Sequence, residues 1–394
     1  MANAVSTWIL KQLSRRTASG AFVPELDGLR FVAIFWVVLY HIELLHQPEV
    51  PAGLQVASGA GHYGVELFFI ISGFVLALPF ATWRMQAGRP VQLRRYYLRR
   101  LTRLEPPYLL SLLVFFALKV ALKGQSAHEL LPNLLASAGY VHNVIYAQRS
   151  AVSVVAWSLE IEVQFYLLAP LLGRVFLLRD ARVRRGILCA GIAGAMLLCA
   201  VFDRDANPRL FLSLPAYVQY FLIGFLLSDF YLTGDWRTDH GRRPSFDVVG
   251  LAALGLLGPV VCFGYHQWWG QLTAPLLTGL FCVGAFHGPL LNRFFRNPWV
   301  YSYGGICYTI YLYHSILVQG AGATAKRVLG SGVTWPRMLA DIGLSVGIVV
   351  VVCPVLFVLT ERYFMTPDWH LELRGRLSRL LGLRPTSPEA PRRR

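Results

Sequence analysis

Long, nearly uncharged apolar runs are the feature that most constrains the fold of this chain. Two of the clearest cover 248–263 and 342–359. A helical run of about 20 apolar residues matches the hydrocarbon thickness of a bilayer, roughly 30 Å. Backbone amides and carbonyls inside lipid must be hydrogen-bonded within the segment, which favours helices over single strands. The sequence therefore predicts an all-α integral membrane protein.

The charge content supports this interpretation. Only 15% of the 394 residues are charged, against about 25% in soluble domains. The net charge of +16 would suggest nucleic acid on a soluble chain. Here the Lys and Arg residues lie between the apolar runs, which predicts contact with membrane lipid and no nucleic-acid partner. The six cysteines lie inside apolar segments without a CxxC pattern, so no metal site is predicted.

We predict a bundle of about ten transmembrane helices. Their ranges are 29–47, 63–83, 104–123, 155–174, 186–202, 211–232, 247–264, 271–288, 299–320 and 338–360. The segment 130–148 is too polar and too short for a confident span, and we predict an interfacial or re-entrant piece in an external loop.

The distribution of Lys and Arg predicts the orientation of the bundle. With both termini in the cytoplasm, the cytoplasmic segments carry 28 Lys and Arg residues and the external loops carry 8, as the positive-inside rule requires. The predicted organisation is a cytoplasmic segment 1–28, a transmembrane domain 29–360 and a basic, partly disordered tail 361–394.

Ionisable residues within a predicted span are candidates for function because they are costly to bury in lipid. Arg30 and His41 lie eleven residues apart in the first span, which places them within about 20° of one helix face and roughly 16 Å apart along it. Arg30 could bind an anion or only anchor the helix. His41 could act as a general base near neutral pH or only pack in the bundle.

A second candidate lies in the fourth predicted span. Glu162 and Tyr166 are four residues apart and share a helix face. A carboxylate at this depth needs a partner. We expect Glu162 to lie at the depth of His41 and to orient the imidazole. The alternative is a purely structural ion pair with an Arg or hydrogen bond with a Tyr.

An arginine-rich stretch, 94–103, lies in the predicted loop after the second span. Arg100 and Arg103 are three residues apart and can face one ligand. Their planar guanidinium groups suit phosphate, so coenzyme A is a fitting ligand, with lipid headgroups as the alternative. Ser72 of the second span has no GxSxG context that would mark it as a nucleophile.

These residues fall in motifs that resemble the acyltransferase-3 family of bacterial membrane O-acyltransferases. The motifs are Leu26-Asp27-Gly28-Leu29-Arg30 with His41, Gly64 to Phe74, Arg100-Leu101-Thr102-Arg103 with Pro106, Trp157-Ser158-Leu159 with Glu162, Phe165, Tyr166 and Pro170, Tyr308 with Tyr311, Leu312 and His314, and Glu361-Arg362. The chain departs from the family at Cys307, where Ser is usual, at Tyr313, where Trp is common, and at Val163, where an acidic residue is usual.

The resemblance implies a multi-pass enzyme of the bacterial inner membrane. It would transfer an acyl group, commonly acetyl, from cytoplasmic acyl-CoA to a hydroxyl of a sugar or glycoconjugate of the cell envelope, without a metal. We expect the chain to lack the esterase-like domain that many members carry. Acceptor identity, acyl length and oligomeric state are left open. A transporter of an anionic or sugar solute and a structural envelope protein are the alternatives.

The resemblance also assigns roles to residues. His41 and Glu162 would be catalytic, and Arg30, Arg100 and Arg103 would bind the donor. The supporting residues would be Asp27, Glu66, Ser72, Tyr166, Tyr311 and His314.

Overall fold

The computed structural model describes residues 2–13, 22–44, 60–86, 88–202, 204, 206–234, 236, 241–330, 335–365 and 369. These residues form helices and connecting turns, with no β-strand among them. The helices are α1 (Ala2–Leu13), α2 (Pro24–Leu44), α3 (Gly64–Met85), α4 (Leu93–Lys123), α5 (Ala127–Ala138), α6 (His142–Tyr146), α7 (Ala156–Leu172), α8 (Ala181–Val201), α9 (Pro208–Phe211), α10 (Val218–Thr233), α11 (Pro244–Gly264), α12 (Trp268–His287), α13 (Pro289–Phe295), α14 (Pro298–Gly305), α15 (Cys307–Leu329), α16 (Trp335–Leu359) and α17 (Glu361–Phe364).

Six described helices are long and apolar enough to cross a bilayer. They are α3 with its preceding 3₁₀ turn, α4, α8, α11, α12 and the 338–359 part of α16. Large apolar side chains such as Val201, Val248, Phe263 and Leu359 point outward and are more than half exposed. Such outward-facing apolar surface requires lipid as its solvent. The chain is therefore a multi-pass membrane protein.

Each of the ten predicted segments falls on one or two helices, but not all meet the criteria for a span. The helices α2, α7 and α15, which together carry most of the predicted polar site residues, are not among the six. In the helix α2, Asp27, Arg30 and Glu43 interrupt the apolar run. The helix α7 has only 17 residues. The count of ten spans and the orientation of the termini therefore remain predictions.

The centre of the bundle is built by α3 and α10, which pack along most of their lengths. Glycines allow the two backbones to touch. A Cβ atom at Gly73 would lie 2.2 Å from the carbonyl oxygen of Phe221, and one at Gly224 would lie 2.2 Å from that of Ile70. No side chain fits there, so these glycines fix the position of Ser72 beside them.

Three predicted segments differ in detail from the structure. The arginine-rich stretch, predicted as a loop, forms the first turns of α4, because its residues are good helix formers. The segment 130–148 divides between α5 and α6. The predicted span 299–320 is broken at Ile306, where Gly304 and Gly305 weaken the helix. The tail prediction lies mostly outside the described residues.

Candidate active site

Two cavities lie at opposite ends of α2 and α3, and each gathers a different kind of polar side chain. The first, which we call the arginine cavity, has a volume of about 360 Å³. Six of its polar lining residues are Arg30, Ser72, Arg100, Arg103, Glu162 and Tyr166. They come from α2, α3, α4 and α7, so sequence-distant predicted residues meet in one place.

The carboxylate of Glu162 is held by two hydroxyl groups in the arginine cavity. Ser72 donates to its Oε1 over 2.5 Å, and Tyr166, one turn along α7, donates to the same oxygen over 2.7 Å. Hydrogen bonds to an ionised acceptor are among the stronger ones in proteins. Ser72 is therefore a positioned donor to Glu162.

The guanidinium groups around this cavity are only partly neutralised. Arg30 pairs with Asp27 three residues earlier. Arg100 lies over the Tyr96 ring at 3.8 Å and donates to the Tyr96 carbonyl over 3.1 Å. No carboxylate among the described residues forms an ion pair with Arg100. Its positive charge is therefore available to a bound anion.

Arg103 has one distant carboxylate neighbour, Glu361, at 3.9 Å. The Oε2 atom of Glu361 accepts two hydrogen bonds from Thr309, one from its hydroxyl over 2.6 Å and one from its amide over 3.2 Å. The Arg103 Nε–H is buried and makes no hydrogen bond to the described residues. An unsatisfied buried donor on a cation beside a cavity fits a site for an anionic ligand.

The second cavity, which we call the histidine cavity, has a volume of about 480 Å³. Its polar lining includes His41, His62, Glu66, Arg149, Tyr265 and Tyr311. His41 lies near the carboxyl end of α2, whereas Arg30, in the arginine cavity, lies near its amino end.

The partners of His314 and His41 assign the tautomers of both rings. Nδ1 of His314 faces two acceptors, the carbonyl oxygens of Ile310 at 3.0 Å and Tyr311 at 2.9 Å, so the hydrogen is on Nδ1 and Nε2 carries a lone pair. That lone pair faces Nδ1 of His41 at 3.3 Å. Nδ1 of His41 also contacts the carbonyl of Val37 at 2.8 Å. Nδ1 of His41 therefore carries the hydrogen, and its Nε2 is the free base.

Tyr311 and Val65 line both cavities and form a thin wall between them. The Tyr311 hydroxyl donates its single hydrogen to the Val155 carbonyl. It lies 2.7 Å from the Ser158 hydroxyl, so Ser158 must donate to Tyr311. The wall residue is held in place by α7 and the turn before it.

The model of an acyltransferase domain family, acyltransferase-3, matches residues 23–359. The chain belongs to the acyltransferase-3 family. The resemblance inferred from the motifs is thereby confirmed. The histidine cavity lies within the matched region, and so does the arginine cavity except for Phe364 and Met365.

Curated relatives point in the same direction. The O-acetyltransferase OatA of Staphylococcus aureus (strain NCTC 8325 / PS 47) is 26% identical over 317 residues, which cover 75% of this chain and 50% of OatA. A protein of S. aureus (strain COL) named as an O-acetyltransferase is 24% identical over 321 residues, with 76% and 51% covered. The chain thus spans about half the length of these curated relatives. No solved structure matches the chain.

The predicted acyltransferase-3 residues divide between the cavities, which changes one predicted contact. Glu162 and His41 were expected to pair at one depth. The Glu162 carboxylate instead lines the arginine cavity and binds Ser72 and Tyr166, and the partner of His41 on another helix is His314. Helix periodicity gave the face of each residue but not the rotation between helices, which decided the pairing.

Four residues of the histidine cavity received no role from the sequence. His62, Arg149, Trp157 and Tyr265 lie in or beside the connections between long helices. Trp157 belongs to a recognised motif, and its aromatic ring beside a predicted loop was the available signal. The other three have no local pattern. Among the described residues no group of three or more His, Cys, Asp and Glu could hold a metal ion.

Proposed function

We propose that this protein is a membrane O-acyltransferase that moves an acyl group, acetyl in the simplest case, from cytoplasmic acyl-CoA to a hydroxyl of a sugar or glycoconjugate. The observation that carries the proposal is the pair of cavities separated by Tyr311 and Val65. One cavity offers cations for a phosphate-bearing donor, and the other offers a neutral imidazole with a free Nε2. The acyltransferase-3 membership and the O-acetyltransferase relatives support the reaction class.

The donor would bind in the arginine cavity, which we assign to the cytoplasmic side of the bacterial inner membrane. Arg100 and Arg103 have unpaired donors for its phosphates, and Arg30 extends the positive surface. Glu162 would keep Ser72 and Tyr166 in position on this side. Its own negative charge lies close enough to act on Arg30 and Arg100, which limits the net charge of the cavity.

The acceptor would bind in the histidine cavity, which we assign to the outer side. Aromatic rings such as Trp157 and Tyr265 suit the faces of sugar rings, and the Glu66 carboxylate suits their hydroxyls. His41 Nε2 would take the acceptor proton while the oxygen bonds to the thioester carbonyl carbon. The carbon–sulfur bond then breaks, and the leaving CoA thiolate takes the proton from His41.

His314 would act on His41 and not on the substrate. Together with the Val37 carbonyl it would accept from Nδ1–H and keep the basic lone pair on Nε2, the role first assigned to Glu162. It also stabilises the transient positive charge on His41 through its own lone pair. Because both rings would be neutral before the reaction, the pair would add no charge to the interior of the bundle, where charge is costly.

The experiment that tests the proposal uses the purified protein in vesicles with radiolabelled acetyl-CoA and extracted envelope glycans. We expect covalent transfer of label to a glycan hydroxyl, lost in His41→Ala protein that still inserts and binds acetyl-CoA. Absence of covalent label from the wild-type protein, or normal transfer by His41→Ala, would contradict the proposal.

Two cavities on either side of a thin wall also favour a second candidate, a transporter of an anionic or sugar solute. The same vesicles separate the two functions. A transporter would accumulate an added sugar or acyl anion without chemical change, whereas an acyltransferase would release free CoA in proportion to labelled product.

A further inference from the structure

Among the described residues that line the histidine cavity, Arg149 carries the one fixed positive charge, and the proposed reaction does not use it. Arg149 lines the cavity and is exposed to it. Its guanidinium carbon lies 5.7 Å from the centre of the Trp157 ring. No carboxylate among the described residues forms an ion pair with it. The one carboxylate among the described lining residues, Glu66, accepts instead from the Tyr265 hydroxyl at 3.4 Å.

The backbone that carries Arg149 is anchored and not free to move away. The amide of Asn143 donates to the buried carboxylate of Glu160 over 2.8 Å, and its side chain donates to the Trp157 carbonyl over 2.8 Å. The His142 ring bonds the carbonyl of Gln148, the residue before Arg149, over 3.1 Å. These contacts tie the segment to α7.

The same segment departs from ordinary backbone geometry just before Arg149. Ala147 has a φ of 51°, in the left-handed region that residues with a Cβ rarely adopt. Ala147 is the C-cap of α6, a position where a left-handed residue commonly ends a helix, and its amide donates to the Asn143 carbonyl. Ala147, Gln148 and Arg149 all line the cavity.

The position of Arg149 relative to the candidate base is also informative. Its charge is close enough to act electrostatically on His41, Tyr40 and Tyr311. A ligand anion paired with Arg149 would therefore lie near the hydroxyl that His41 deprotonates. An unpaired arginine offers a planar, two-donor match to carboxylate and phosphate oxygens.

We propose that Arg149 and Trp157 form an anion subsite that selects acceptors carrying a carboxylate or phosphate close to the acylated hydroxyl. The inference deepens the proposed function and rests on it. Trp157 supports the guanidinium from one side and leaves its hydrogen-bonding edge for the ligand. A neutral sugar would occupy the same cavity with the Arg149 charge unmatched.

The test compares three methyl glycosides that differ only at carbon 6: glucoside, glucuronide and glucoside 6-phosphate. Their affinities are measured by isothermal titration on the full protein in nanodiscs. We expect the charged glycosides to bind at least ten-fold more tightly than the neutral one. The tighter of the two identifies the anion as carboxylate or phosphate.

Two variants decide whether Arg149 causes the preference. Arg149→Gln should bind all three glycosides equally, and Arg149→Lys should keep part of the preference. Arg209 is the matched control: it is exposed at the same end of the molecule, donates to the Val144 carbonyl over 3.4 Å and does not line the cavity. Arg209→Gln should leave the preference intact.

The proposal is overturned if the wild-type protein binds the three glycosides equally or binds none. A preference retained in Arg149→Gln, or lost in Arg209→Gln, also overturns it. Labelled acetyl transfer to envelope glycans is measured on the same samples. Normal transfer with no anion preference would remove the subsite and leave the proposed function, whereas absent transfer would remove the proposed function itself.

Discussion

The two cavities use cations and imidazoles for different purposes. The arginine cavity is lined by groups that keep their positive charge at every physiological pH, and two of them have donors that no described residue satisfies. The histidine cavity contains a ring whose tautomer is set by its neighbours and whose free nitrogen can take a proton. Permanent charge suits binding and a titratable ring suits chemistry, so the comparison assigns donor binding to one end and proton transfer to the other.

The largest expected effect comes from His41. Because its Nε2 would take the acceptor proton, His41→Ala should reduce acyl transfer by at least about 100-fold. The affinity for acyl-CoA should remain within about two-fold, because His41 does not line the arginine cavity. Single-turnover transfer and equilibrium binding in nanodiscs measure the two quantities. A large loss of acyl-CoA affinity would contradict the assignment of donor binding and proton transfer to different cavities.

The next largest effect is expected in the arginine cavity. Replacing Arg100 and Arg103 together by Ala should weaken acyl-CoA binding by at least about 10-fold, since the loss of even one of their charge-assisted hydrogen bonds removes about 1.5–3 kcal/mol. Acceptor affinity should not change. The matched control is Arg94→Ala, on the same helix but exposed and outside the cavity. Unchanged donor binding in the double variant, or an equal loss in the control, contradicts the assignment.

A smaller effect distinguishes positioning from catalysis. His314→Leu removes one of the two acceptors for the His41 Nδ1–H and leaves the Val37 carbonyl. It should lower kcat by about ten-fold with little change in KM, because the charged His41 ring loses the lone pair that stabilises it and the base samples the wrong tautomer more often. His314→Gln, whose carbonyl can accept, should recover part of kcat. Both variants should unfold at similar temperatures. If Gln is no better than Leu, His314 has only a packing role.

The smallest effect separates two roles for Glu162. Glu162→Gln keeps an oxygen that can accept from Ser72 and Tyr166 but loses the charge, and we expect transfer to fall by no more than about three-fold. The pH dependence of kcat should not move, because the carboxylate does not contact His41. A shift in the pH dependence of kcat would support the contact between Glu162 and His41 that the sequence predicted.

Much of the fold followed from the sequence because apolar length and helix periodicity are local properties. The ten predicted segments all fall on helices, and Arg30 and His41 lie on the same helix, as predicted. Two features were not predicted. The break at Ile306 depends on the flexibility of the glycines before it, and the arginine-bearing first turns of α4 form a helix without the apolar residues by which the spans were recognised.

The site was predictable as a set of residues but not as an arrangement. Motifs selected Ser72, Glu162 and His314, yet which side chain meets which depends on how helices rotate and cross. Close approach at Gly73 and Gly224 sets that geometry for α3 and α10, and it cannot be read from the pattern of either helix alone. Arg149 and Tyr265, outside any motif, enter only through the folded connections.

The sidedness of the reaction is the most direct test of the two-cavity account. Sealed membrane vesicles from cells that contain the acceptor are prepared in both orientations, and radiolabelled acetyl-CoA is added only to the external solution. Inverted vesicles, whose cytoplasmic face is outside, should label glycan in their interior. Right-side-out vesicles should label none until they are opened. Labelling of intact right-side-out vesicles would contradict a donor site at the cytoplasmic end and an acceptor site at the other.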